Sequence, residues 1–217
     1  MTRVDLRGCS FESFVSFVFD HAPPTAVGMP QWYFDPELEV EFDRRLHLEH
    51  LTRLFRGPEF LLESFTRAQI EQGLWFIAGP GGSEFFSELL WDARIGWNVR
   101  GDCIAAMVDL YDRLFRRESI GETAFMWWDL LCYEYRGGLR DPETDAEDAR
   151  VQEAMLASLE RILRLDSPEC QRAALHGLYH LAHPRSLLAI REWLEEHPDA
   201  PVDTRTLALR CFEGRMG

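Results

Sequence analysis

Apolar residues in this chain return every three or four positions, and helix start and stop signals cut the stretches in which they do so. Over 99–117, Cys103, Met107, Leu110 and Leu114 form one such stripe. This period excludes a strand-based fold, because residues on one face of a strand recur every second position. Strand signals are correspondingly weak: no Asn-Gly or Asp-Gly turn occurs and no long alternation stands out. The expected fold is all-α.

Punctuation sets the layout. Asp35-Pro36-Glu37 has the form of a capped helix start and predicts a helix over 37–56. Gly57-Pro58 breaks it and opens a second helix over 59–77, and Gly79-Pro80-Gly81-Gly82 is a loop before a helix over 83–95. Ser119…Glu122 and Thr144…Glu147 have capping-box spacing before helices at 124–135 and 149–165. The chain divides into an irregular, partly helical segment (1–36), helical layers (37–136), an acidic turn-rich loop (137–148) and a regular helical region (149–217), all within one domain.

That last region is the most legible. Asp166-Ser167-Pro168 separates two helices, His183-Pro184 is a tight break between helices at 169–183 and 185–197, and a further helix occupies 204–212. Asp166, Ala173-Ala174-Leu175 and Leu178, followed by Pro184, Leu187, Ile190 and Leu194, resemble a HEAT repeat over roughly 151–217. His183-Pro184 stands where the family has an Asp-Pro-like turn, and the first two thirds show no clear repeat. The resemblance implies stacked antiparallel helix pairs, an α-α superhelix with a concave binding face and no chemistry. A lone pair cannot bury its apolar side, so neighbours must stack on it.

Charge narrows the partners. Asp+Glu 37 against Lys+Arg 23 gives a net charge of −14, which repels phosphate backbones and anionic lipid. Nucleic acid and membrane are therefore not expected partners, and a basic protein is. The small basic cluster Arg113, Arg116 and Arg117 does not offset the field. Every basic residue is Arg, a bias that fits a GC-rich bacterial genome. Five scattered cysteines without a C-x-x-C pair read as buried thiols in a reducing compartment. The early charges of the N-terminus and the lack of a long apolar run point to the cytoplasm.

Motifs for chemistry are sparse. His176, His180 and His183 fall at spacings of four and three on a predicted helix, so they share a stripe that packs on a neighbouring repeat, meets solvent or binds zinc. Gly177 occupies the position where a zinc protease has glutamate, which removes that motif. His47 and His50 form a weaker pair without a third ligand. The 79–83 loop lacks the lysine of a phosphate-binding loop, no nucleophile elbow occurs, and Arg100-Gly101-Asp102 is a chance adhesion tripeptide. Trp127-Trp128 is expected in the core.

No cofactor is expected. The leading expectation is a non-enzymatic protein-binding module, in its most concrete form an immunity protein that masks a basic toxin. Candidate contacts are Glu63, Glu71, Asp129, Glu134, Glu192 and Glu195. Two alternatives are a metal-dependent enzyme using the histidine stripe and a structural subunit of a larger assembly.

Overall fold

A computed structural model of the chain describes residues 2–25, 31–79 and 86–215. The order is strand β1 (Thr2–Asp5), helix α1 (Phe11–Phe19), strand β2 (Leu38–Glu41), and helices α2 (Arg44–Arg56), α3 (Phe60–Ser64), α4 (Arg67–Ala78), α5 (Phe86–Trp91), α6 (Trp97–Leu110), α7 (Thr123–Arg136), α8 (Ala146–Leu163), α9 (Pro168–Leu181), α10 (Ser186–Glu196) and α11 (Val202–Phe212). The expected all-α class holds. None of the described helices is long and apolar enough to cross a membrane.

The two strands correct the helix expected over 37–56. Asp35 accepts from the Glu37 backbone N–H and makes a turn instead of a helix start. Leu38–Glu41 then runs extended and pairs in parallel with Thr2–Asp5, Val4 against Val40. The helix begins only at Arg44, where the Asp43 carboxylate accepts from the Leu46 N–H. The helix expected over 59–77 is likewise two, because Thr66 and Gln69 form a capping box that starts α4 afresh. The two spacings at 119–122 and 144–147 do not cap. Helix α7 starts at Thr123 without a side-chain cap, and Asp145, one residue past Thr144, accepts from the N–H groups of Glu147 and Asp148. The stripe over 99–117 leaves α-geometry after Leu110 for one π turn, Tyr111–Phe115. The loop from 80 to 83 and the helix start at Ser83 lie outside the described residues.

Helix α9 is the hub. It packs on α7, α8, α10 and α11, while α6 joins α2 to α8. The amino ends of α7, α9 and α11 line one cleft and their carboxyl ends line another, so the three run side by side in the same direction. Helices α8 and α10 make the return connections. Trp127 and Trp128 are both fully buried, Trp127 edge-on to Phe55 and its Nε1–H directed at the Met107 sulfur at 3.4 Å. Arg100 is buried and donates to the carbonyls of Ile95 and Leu90 and to Glu147, so the adhesion tripeptide is structural.

Burial also explains the cysteines. Cys103, Cys132, Cys170 and Cys211 are buried, and the loss of hydration raises their thiol pKa values, to about 12 for Cys103 and Cys211. Cys9 is partly exposed. A thiol reagent is therefore expected to modify Cys9 in the native protein and all five cysteines only in denaturant, as read by mass spectrometry.

Candidate functional site

The three histidines do not stay together. His176 and His180 lie one turn apart on the face of α9 that meets α7, and Phe125 and Asp129 have the same spacing on α7. Because the helices run parallel, Phe125 falls opposite His176 and Asp129 opposite His180. The His176 ring stacks on Phe125 with centroids 4.2 Å apart and planes 6° apart. Its Nδ1–H donates to the Phe125 carbonyl at 3.3 Å, since a carbonyl can only accept. That tautomer leaves a lone pair on His176 Nε2, which faces His180 Nε2 at 3.1 Å. His180 Nε2 also lies 3.0 Å from Asp129 Oδ1. This second approach is not a directed hydrogen bond, and Asp129 Oδ1 is buried without one. Helix α9 ends at Leu181, and Ala182 turns left-handed at φ 51°, which swings His183 to Glu153 on α8 at 3.2 Å.

Gly177 sets the approach of the two helices. A Cβ there would stand 2.5 Å from Trp128 Cβ and 2.7 Å from Leu159 Cδ2. The residue that removes the protease motif therefore lets α9 lie close enough to α7 for the imidazoles to reach Asp129. Desolvation lowers the pKa values of His176 and His180, so both rings are neutral at pH 7; Phe125 and Asp129 oppose the shift for His176, and Asp129 opposes it for His180. Among the described residues, Asp129, His176 and His180 are a group with metal-ligand spacing, their donor atoms all within 4.8 Å of one another.

The other histidine pair is tied to aromatic rings. His50 Nε2–H donates to the Cys9 carbonyl and the ring stacks on Phe14, while His47 lies between Phe14 and Phe42. Packing, and secondarily the neighbouring His50, hold the His47 pKa near 4. Between that value and the ordinary 6.5 the unfolded chain binds the extra proton, so stability falls as pH drops through this window. Part of the His47 edge reaches solvent, which trims the effect. From pH 7 to pH 5 the wild type is expected to lose about 1–2 kcal/mol more than His47→Leu, measured by urea denaturation at each pH.

The six acidic candidates do not form one surface. Glu63, Glu192 and Glu195 are exposed. Asp129 turns toward the histidines, Glu134 pairs with Arg140, and Glu71 lies partly buried against Gly121. In the basic cluster, Arg113 pairs with Glu59 and Arg116 with Asp112.

Two clefts flank the α7–α9–α11 layer. The one at the amino ends, about 510 Å³, has Glu169 and Asp203 in the first turns of α9 and α11 and Glu122 just before α7, acids that complement the positive helix ends. The one at the carboxyl ends, about 390 Å³, has apolar walls from Leu178, Leu187 and Phe212, with Glu213 at its edge. Arg136 lies over the Tyr179 ring there and donates to the Tyr179 carbonyl at 3.0 Å. Sequence reading missed this cleft, because its lining comes from the ends of four helices with no shared motif. Comparison with known proteins finds no matching family model, no similar curated protein and no similar solved structure.

Proposed function

We propose that the chain is a HEAT-like, non-enzymatic scaffold that binds a basic protein through the carboxyl-end cleft and the acidic surface around it. The cleft itself carries the reading. The carboxyl ends of α7, α9 and α11 meet there against the amino end of α10, and the three carboxyl ends favour cations. Its walls suit the aliphatic stem of an arginine or lysine, with the charged head at the carbonyls. Arg136 already makes one contact of this kind. In its lining Leu187 and Phe212 are 52% and 41% exposed, and Leu188 and Leu209 on the same two helices are 41% and 45% exposed. Glu192 and Glu195 are exposed farther along α10, away from the cleft, and within an overall charge of −14 they would attract a cationic partner to this half of the chain. The specific biological form is an immunity protein in a bacterial cytoplasm that covers the substrate-binding surface of a basic toxin.

The test is affinity capture from the source cells with three baits: wild type, Phe212→Ala and the double variant Glu192→Arg/Glu195→Arg. A basic protein retained by wild type at low salt, weakened by both variants and released at about 0.5 M salt, where screening is strong, is the expected result. Equal retention by all three baits, or indifference to salt, overturns the proposal. Light scattering of the purified chain separates this from a homomeric assembly built through the same patch.

A further inference from the structure

We propose that Asp129, His176 and His180 form a binding site for one divalent transition-metal ion of the zinc type, held between α7 and α9. The donor atoms already converge. His180 Nε2 is 3.1 Å from His176 Nε2 and 3.0 Å from Asp129 Oδ1, and all three atoms lie within 4.8 Å of one another. Ligands bound at about 2.0–2.1 Å around a tetrahedral ion are about 3.3 Å apart, so small side-chain adjustments bring this set to coordination distance.

Hydrogen bonding favours the same conclusion. The Phe125 carbonyl fixes the proton of His176 on Nδ1, which leaves Nε2 as a free donor of electrons toward the cluster. A backbone carbonyl that holds the far nitrogen of a ligating histidine is the usual outer support of a metal site. Protein contacts alone do not satisfy the group. If His180 Nε2–H donates to His176, Asp129 Oδ1 stays buried without a hydrogen bond, an unfavourable arrangement. An ion at the shared point satisfies all three atoms at once. Ligation through Nε2 places the His180 proton on Nδ1, which has no acceptor among the described residues, so His180 lacks the outer support that the Phe125 carbonyl gives His176.

Donor type selects the ion. Two imidazoles and one carboxylate suit Zn²⁺ and Co²⁺, whereas Mg²⁺ and Ca²⁺ take oxygen ligands. The His180 and Asp129 side chains are 15% and 19% exposed, so the cluster is not sealed from solvent. His183 takes no part because it faces Glu153.

The chelator-treated chain of 217 residues is to be titrated with Co²⁺ and Zn²⁺, following visible absorption and calorimetry. Expected are one ion per chain, a Co²⁺ band in the visible, and no uptake of Mg²⁺. Asp129→Asn, which conserves size, should weaken Zn²⁺ binding at least about 10-fold, and His180→Asn likewise, while His183→Gln leaves it unchanged. Circular dichroism checks that each variant is folded. Absence of Co²⁺ and Zn²⁺ uptake by the wild type overturns the proposal whatever the variants do. So does binding by the wild type that survives equally in folded Asp129→Asn and His180→Asn.

Discussion

Gly177→Leu is expected to abolish cooperative folding, and Gly177→Ala to lower stability by about 1–3 kcal/mol. In an exposed helix, replacing glycine with alanine stabilises by up to about 1 kcal/mol. Here that gain is overwhelmed, because the new Cβ would stand 2.5 Å from Trp128 Cβ and 2.7 Å from Leu159 Cδ2. Neither neighbour has room to give. Trp128 is fully buried on α7 and Leu159 fully buried on α8, so α9 would have to withdraw from both helices at once. With total stabilities of about 5–15 kcal/mol, the larger leucine side chain exceeds what the fold can absorb. Urea midpoints measure the alanine variant, and near-ultraviolet dichroism reports the loss of tryptophan packing in the leucine variant. An alanine variant as stable as wild type would mean that α7 and α9 are farther apart than described.

Arg100→Met is expected to cost about 2–4 kcal/mol. Methionine keeps most of the stem's volume but leaves the carbonyls of Ile95 and Leu90 without their guanidinium donor. The ion pair is the lesser part of the effect. Glu147 is 39% exposed on its side chain and can be solvated when Arg100 is gone. Glu147→Gln should therefore cost less than about 1 kcal/mol. Chemical denaturation of both variants decides the point; equal losses would show that the charge pair, and not the carbonyl contacts, holds the turn before α6.

Helix periodicity made the fold class legible, and the last four helices were readable almost to their ends because Ser167-Pro168 and His183-Pro184 punctuate them. The parallel strands were not readable. Leu38–Glu41 is too short to display alternation, and its partner lies more than thirty residues earlier, at Thr2–Asp5. Asp35-Pro36 misled because an aspartate that caps a turn and one that caps a helix offer the same carboxylate to a nearby N–H. At the site, His176 and His180 were visible from their spacing. Asp129 was visible only as an acid, since its approach to α9 depends on packing between helices 47 residues apart in sequence, His176 against Asp129. Gly177 first counted as a missing glutamate, and its role emerges only when Trp128 is found where a side chain would be.

Both the fold and the candidate site depend on α9 as the buried centre of the helical layers. Hydrogen exchange of the free chain, resolved by peptide, tests this directly. The amides of Cys170–Leu181 should be the slowest in the protein and exchange only through global unfolding, while α10 and α11 open locally and exchange sooner. Exchange of α9 as fast as that of α10 would contradict the account.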